Sequence, residues 1–480
     1  MPDILLTTIN AKWIHPSLAL RLLKANLREL EVRTEIIEFA LRQPLREKMD
    51  AILAARHRIL GISVSIWNHS QTLELLHALE EPWAAAGVRP LIVLGGPEAA
   101  NLPSDAPLLA ECDWLVRGEA EHSFRELCAA LLSGCEPEAG GAIARVFRVA
   151  TSRPSSLPDG ATYGVVESAA VDPSSVDPGY RLYTDGDLER RLTYVEASRG
   201  CPFGCEFCLS SLDRIVRDFP LDAFLHEMEA LIARGARQFK FLDRTFNLDK
   251  GRAGRIMEFF LERVKPGFYV HFEIVPSRFP SELGAIAARF PAGSLRLEAG
   301  IQTMDPRVAA TIGRKSDPDA ELATLRFLRE KTRAIVHADL IAGLPGETLE
   351  AFGRGFDMLL SARPEEVQVG ILKRLPGAPL ARHDGPFKMR YSAEPPYEVL
   401  STSAMSPTDL DRLKNFSRFW ELIVNRGNFP EFTAAFLASD SGIFSRFIVL
   451  SDTLLLLFGR NWGIDRHELR SALNQSFPFL

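Results

Sequence analysis

Three thiols fall within eight residues: Cys201, Cys205 and Cys208, in the run Glu196-Ala-Ser-Arg-Gly-Cys-Pro-Phe-Gly-Cys-Glu-Phe-Cys208. Thiolates are the usual ligands of iron–sulfur clusters, and C-x3-C-x2-C spacing lets one loop wrap three corners of a cubane. No fourth Cys follows nearby, so the fourth iron keeps a position open to a small molecule. A zinc site wants four ligands, often as two separated pairs, and this loop offers neither. Gly200, Pro202 and Gly204 keep the loop tight and let its backbone approach the sulfurs. The bland alternative is three unrelated thiols, but Cys is scarce, six in 480 residues. Cys112, Cys128 and Cys135 are scattered and read as buried, inert thiols.

The polar residues that such a loop needs for company occur at regular intervals downstream. Residues 190–375 alternate strand-like and helical patterns. The carboxyl ends of the strands carry Asp243-Arg-Thr-Phe-Asn, Glu273, Glu298-Ala-Gly300-Ile-Gln302, Asp339 with Gly343-Leu-Pro-Gly-Glu-Thr348, and Lys373 with Leu375-Pro-Gly377. Alternation along a strand puts Glu298, Gly300 and Gln302 on one face. A carboxylate at Glu273 or Glu298 suits a hydroxyl or ammonium donor. Each acid taken alone reads equally well as a solvated strand end; the recurrence at successive strand ends favours a site.

Upstream, residues 1–140 also alternate strands and helices with short loops, which predicts a doubly wound parallel sheet of flavodoxin-like (Rossmann-type) α/β order. Ligands of such sheets bind beyond the carboxyl ends of the strands. Those ends are Thr8-Ile-Asn-Ala-Lys, Ser65-Ile-Trp67-Asn-His, Gly95-Gly96-Pro97-Glu98 and Gly118-Glu119. Residues 141–189, broken by Pro154, Pro158, Pro173 and Pro178, read as a linker without clear elements. Residues 376–480 read as mainly helical. There Leu410, Leu413, Phe416, Trp420 and Ile423 form a stripe that belongs to a core rather than to a cofactor.

Composition sets the outer bounds. The chain is 46% hydrophobic and 25% charged, with a net charge of −6. That is ordinary globular composition and predicts no nucleic-acid-coating surface. Met1-Pro-Asp-Ile-Leu-Leu runs straight into a strand without a signal-like segment, and no apolar stretch reaches the roughly 18 residues of a membrane span. A low-potential cluster needs a reducing compartment, so the expectation is a cytoplasmic protein with no membrane partner.

The cysteine spacing, with Phe207 just before the last Cys, resembles the signature of the radical S-adenosylmethionine (radical SAM) enzymes, and residues 190–375 resemble their partial (β/α)6 barrel. The resemblance implies a 4Fe-4S cluster on Cys201, Cys205 and Cys208. It implies S-adenosylmethionine contacts from Phe207, Asp243, Glu273, Glu298, Gly300, Gln302, Asp339 and Leu375. The strand-end loops of residues 1–140 resemble the cobalamin-binding domain of cobalamin-dependent radical SAM enzymes. They imply contacts from Thr8, Ser17, Ser65, Trp67, Gly95, Gly96, Pro97, Glu98, Gly118 and Glu119. Residues 376–480 resemble a C-terminal helical extension of one such subfamily, expected to cap the barrel mouth.

Two departures stand out. The Asp-x-His-x-x-Gly motif of many cobalamin domains is missing. His15, His57, His69, His77 and His122 read as surface or helix residues, which implies cobalt without a His ligand; Trp67 reads either as a cover for its lower face or as a core residue. Where relatives often carry two acids, Arg244 follows Asp243. The implied activity is reductive cleavage of S-adenosylmethionine to a 5′-deoxyadenosyl radical, used to methylate an unactivated carbon of a small molecule or peptide. A flavodoxin or ferredoxin would serve as electron donor. A non-methylating rearrangement or cyclisation remains open, as does a cobalamin-sensing binding protein; the intact three-Cys loop speaks against the sensor.

Overall fold

The computed structural model describes residues 2–150, 162–438 and 442–476. Pro154 and Pro158 of the expected linker, and residues 477–480 of the region expected to be mainly helical, lie outside the described residues. Contacts divide the chain into two compact units. One comprises Met1–Arg199, Arg217–Leu242 and Leu375–Gly377; the other comprises Gly200–Val216, Asp243–Arg374 and Ala378–Leu480.

The first unit opens with β1 (Ile4–Asn10), α1 (Leu18–Ala25), β2 (Thr34–Ala40), α2 (Leu45–Ala55), β3 (Ile59–Ser63) and α3 (His69–Ala86). It continues with β4 (Leu91–Gly95), β5 (Trp114–Arg117), α4 (Glu121–Leu132), β6 (Ile143–Ala150) and β7 (Thr162–Ser168). The strands form one sheet in the order β2-β1-β3-β4-β5-β7-β6. All neighbours run parallel except β6, which is antiparallel to β7. Every residue of β1 is buried, as a central strand covered on both faces requires. The five-strand flavodoxin-like order is present, but the sheet is larger than expected. Residues expected to form a structureless linker supply β6 and β7. Adjacent apolar pairs there, Val146 and Phe147 against Val166 and Val165, outweigh the surrounding breakers.

A buried ionic knot ties this sheet to the end of the former linker. Glu38 of β2 accepts from Asn10, from the Ser17 backbone, from Arg21 at 3.1 Å and from Arg191 at 3.1 Å. Asp187, on α5 (Asp185–Arg190), accepts from Arg21 and Arg191, each at 2.9 Å. Two acids and two bases balance, which is what makes their burial tolerable. The unit also holds β8 (Thr193–Val195), β9 (Ser198–Arg199), β10 (Arg217–Asp218), α6 (Leu221–Ala233) and β11 (Gln238–Phe241). β8 and β11 pair in parallel, whereas β9 and β10 pair antiparallel.

The second unit alternates α7 (Lys250–Leu261), β12 (Tyr269–Ile274), α8 (Ser281–Ala287), β13 (Leu295–Gln302), α9 (Pro306–Thr311), α10 (Pro318–Lys331), β14 (Ile335–Ala342), α11 (Leu349–Leu360) and β15 (Glu366–Ile371). β12, β13, β14 and β15 pair in parallel in that order. On β13 burial alternates strictly. Leu295, Leu297, Ala299 and Ile301 are buried on one face, while Arg296, Glu298, Gly300 and Gln302 occupy the other. Beyond a short hairpin, β16 (Arg390–Tyr391) and β17 (Val399–Ser401), come α12 (Pro407–Trp420), α13 (Pro430–Leu437), α14 (Ile443–Phe458) and α15 (Arg466–Ser476). The α12 stripe is core as read: Leu410, Leu413, Phe416, Trp420 and Ile423 are all buried. Phe416 and Trp420 meet Phe356 of α11 edge-on at 5.0 and 4.8 Å. Among the described residues no helix is long and apolar enough to cross a membrane.

Candidate cluster and cofactor sites

The cysteine loop leaves β9 and returns as β10. Arg199 and Ser198 pair with Arg217 and Asp218, so a two-residue ladder closes its base. Within the loop, Cys201 N–H donates to Asp213 O at 3.1 Å and Cys208 N–H to Cys205 O at 3.1 Å. Gly200 takes φ +90° and lies so close to Ile215 O that no Cβ fits. All three thiols are free of disulfides and line one cavity of about 260 Å³. Burial pushes the thiols of Cys201 and Cys205 up. Arg314, whose Nη1 lies 3.9 Å from Cys205 Sγ, pulls the other way and favours the thiolate that a metal needs.

The same cavity gathers most of the acids expected at strand ends. Phe207, Glu273, Glu298, Gly300, Gln302 and Asp339 all line it, together with Arg244, Arg314 and Lys315. Asp243 does not: it is buried, only 2% exposed, and is not among the lining residues. Leu375 does not either, and belongs to the first unit. Gln302 adopts φ +73° at a register shift between Gly300 and Gln302. A left-handed non-glycine residue at a bulge re-aims a side chain, and it commonly marks a functional position.

Each acid has a base behind it. Arg244 Nη1 donates to Glu273 at 3.2 Å, so the departure from the two-acid pattern supplies a cation to the cavity. His271 Nε2 lies 2.7 Å from Glu298 Oε2. His337 Nε2 lies 2.9 Å from Asp339, and its Nδ1 lies 3.3 Å from Glu366, which Arg296 also grips at 2.5 Å. Burial opposes charge on His337, but hydrogen bonds to Asp339 and Glu366 outweigh it and push the pKa up to about 9. Burial likewise opposes the Glu366 carboxylate, yet His337 and Arg296 hold its pKa down to about 2. The basic partners Arg314, His271 and His337 were missed in the sequence. The histidines lie two residues before Glu273 and Asp339, on the same strand face, and that spacing was the available signal.

The first unit has a cavity of different character, about 240 Å³, between the sheet and helices α1 and α4. Gly95, Gly96, Gly118 and Glu119 line it, with Leu6, Leu20, Leu23, Val93 and Phe124 as walls. Glu121, Glu196 and Arg199 stand at one side, with Arg199 2.5 Å from Glu196 and 2.6 Å from Glu121. Thr8, Ser17, Ser65, Trp67, Pro97 and Glu98 are not among the lining residues. Ser17 caps α1 through Leu20 N–H. Thr8 donates to Ser63 O at 2.8 Å. Fully buried Asn68, which the sequence reading missed, bridges Ser65 N–H, Thr8 and Ile9 O. Trp67 is not a core residue: it is 51% exposed, with its indole N–H donating to Ile9 O at 3.1 Å. His69 is a helix residue, the first of α3, buried 2.9 Å from Glu98, whereas His57 is buried and lies outside the helices. Cys112 and Cys128 are buried as expected, whereas Cys135 is exposed.

The radical SAM superfamily model matches residues 195–359, and the B12-binding domain model matches residues 4–128. An uncharacterised methyltransferase of Pyrococcus horikoshii is 28% identical over 268 residues, 54% of this chain and 55% of that protein. The cobalamin-dependent radical SAM methyltransferase TokK of Streptomyces tokunonensis is 24% identical over 375 residues, 70% of this chain and 50% of its own length. The chain thus spans about half the length of the curated relatives it matches. Among solved structures, the radical SAM methyltransferase TsrM of Kitasatospora setae, with cobalamin and its iron–sulfur cluster bound, shares the fold at a TM-score of 0.62. That match has 16% identity and covers 100% of both chains. OxsB, a cobalamin-dependent radical SAM enzyme with aqua-cobalamin and S-adenosylmethionine bound, aligns at a TM-score of 0.63 and 14% identity. It covers 100% of this chain and 75% of its own.

The residues fit these groups. Three free thiols on one cavity beside Arg314 suit a three-Cys cluster, and an apolar, glycine-floored slot at the carboxyl edge of a parallel sheet suits cobalamin. The chain thus joins a B12-binding domain, residues 4–128, to a radical SAM domain, residues 195–359. The cofactors of these domains are a 4Fe-4S cluster, S-adenosylmethionine and cobalamin.

Proposed function

We propose that this protein is a cobalamin-dependent radical SAM methyltransferase acting on an unactivated carbon of a small molecule or peptide. The observation that carries the reading is the shared cavity: three thiols and a row of base-backed acids open onto one space. When bound, the cofactors supply a 5′-deoxyadenosyl radical and a transferable methyl group; the protein supplies position. Cys201, Cys205 and Cys208 hold the cluster. Glu298, steadied by His271, and Asp339, steadied by His337, would accept from the ribose hydroxyls or ammonium of S-adenosylmethionine. Gln302 joins them from its left-handed position, and Phe207 walls the cavity. Gly300 lets the cofactor approach bare backbone.

In the B12-binding domain, Gly95, Gly96 and Gly118 would open the slot to cobalamin, and exposed Trp67, just beyond the end of β3 and outside the slot's lining, would shield the bound cofactor. No histidine is among the described residues that line the slot, so cobalamin would be held there without a histidine ligand. A low-potential donor such as a flavodoxin or ferredoxin, in the reducing cytoplasm, completes the system. Anaerobic turnover of reconstituted protein with candidate metabolites, scored by mass spectrometry, tests the reading. A product heavier by one methyl, formed with S-adenosylhomocysteine, is expected. 5′-Deoxyadenosine with an unmethylated, rearranged product would replace methylation by rearrangement.

A further inference from the structure

Glu206 lies between two of the cluster cysteines, yet its side chain turns away from them and is almost fully buried. Its Oε2 sits 2.6 Å from His383 Nε2, and its Oε1 accepts from Arg382 Nη2. Both partners come from the short turn Pro379–His383, which opens the C-terminal region 177 residues downstream. The backbone of the same residue is also fixed: Glu206 N–H donates to Ile312 O at 3.0 Å. Beside it Gly313, at φ +67°, leaves only 2.7 Å between an added Cβ and Gly204 O. Further along the segment, Phe387 meets the His383 ring at 5.7 Å and packs on Gly346 of the Gly343–Thr348 turn. One short stretch therefore braces both the cysteine loop and the Gly343–Thr348 turn of the radical SAM domain.

The charge balance gives this contact a consequence. The potential of a thiolate-bound cluster responds to net charge and hydrogen bonding around it. A lone carboxylate one residue from Cys205 and two from Cys208 would add negative charge where reduction already adds more. We propose that Arg382 and His383 are positioning residues for the cluster. His383 fixes the Glu206 carboxylate and Arg382 neutralises it, so that the C-terminal region sets the cluster's reduction potential. The proposal rests on the reading that Cys201, Cys205 and Cys208 carry a cluster.

The test is a redox titration of the anaerobically reconstituted full chain, followed by electron paramagnetic resonance at low ionic strength, because Arg382 is itself largely exposed and salt screens it. Arg382→Gln leaves the carboxylate uncompensated and is expected to lower the midpoint potential. Glu206→Gln leaves the cation and is expected to raise it. The double variant is expected to return close to the parent, with iron and sulfide content equal in all four proteins. Equal potentials, or shifts of the same sign in both single variants, would overturn the proposal. Should Arg382→Gln lose iron, Arg382→Lys must restore both iron and potential; failure to do so would overturn it as well. A parent chain that takes up no iron or sulfide would instead remove the cluster reading underneath.

Discussion

The two cavities hold their contents by opposite means. The slot of the B12-binding domain is walled by leucines, Val93 and Phe124 and floored by glycine, with its charges confined to one side. The cavity of the radical SAM domain is crowded with ionisable groups, each acid backed by a base. An apolar slot selects by shape, since its affinity comes from area removed from water, and volume is what a mutation must change. A charged cavity selects by donor and acceptor placement, and removing one partner leaves the other uncompensated. The comparison breaks if one cavity responds to the kind of change that should affect only the other.

The largest expected effect is on the thiols. Replacing Cys201, Cys205 and Cys208 together by Ala should abolish iron and sulfide binding and the brown colour, while cobalamin uptake persists. Near-parental iron in the triple variant would end the cluster assignment. The mirror experiment fills the apolar slot. Gly95 has ordinary backbone angles, and a Cβ there meets only Val116 O, at 3.6 Å, so the fold tolerates a side chain. Gly95→Val should weaken cobalamin binding by about ten- to a hundredfold, the cost of roughly 1–3 kcal/mol for overfilling a packed site. Its iron content should match the parent. Unchanged cobalamin affinity by spectrophotometric titration would move the site elsewhere.

Next in size is Glu298→Ala. A hydrogen bond to a charged group contributes roughly 1.5–3 kcal/mol, so S-adenosylmethionine should bind about tenfold more weakly or worse. Isothermal titration of the cluster-loaded protein reads this; parental affinity would return Glu298 to a plain strand-end charge. The smallest effect concerns stability alone. Burial pushes the Glu347 carboxyl up to about 8 against a bond from Thr303. The folded state therefore keeps a proton that the unfolded chain releases, and stability falls as pH rises from about 4.5 to about 8. Glu347→Gln, which never ionises, should gain in melting temperature over the parent across that range and match it at pH 4.5. A gap that is constant with pH would contradict the neutral folded carboxyl.

The chemistry of the second cavity was more legible in the sequence than that of the first. Cys201, Cys205 and Cys208 are adjacent along the chain, and Glu273, Glu298 and Asp339 end successive strands, so local spacing and strand periodicity reach them. Their bases were not legible, because His271, Arg314 and His337 become partners only through parallel register between strands or a turn after a helix. Asp243 shares the strand-end position but is buried and does not line the cavity, which periodicity cannot foresee in an irregular turn. In the first unit, loops such as Gly95-Gly96-Pro97 mark the edge of the slot, while its walls, Leu20, Leu23 and Phe124 on helices and Leu6 and Val93 on strands, look like any core positions. β6 and β7 were lost among prolines and glycines, although their β-branched and aromatic residues, Val146-Phe147 and Val165-Val166, were there to be read.

The ionic knot around Glu38 carries a consequence for synthesis. Arg21 and Glu38 emerge early from the ribosome, but Asp187 is separated from Arg21 by 166 positions and Arg191 from Glu38 by 153. At roughly 5–20 residues per second, the nascent sheet waits on the order of ten seconds or more for its last two charges. Until then β1, β2 and α1 cannot bury Arg21 and Glu38 in a balanced set of four. The B12-binding segment is therefore completed from downstream, by the stretch of chain that leads directly into the cysteine loop.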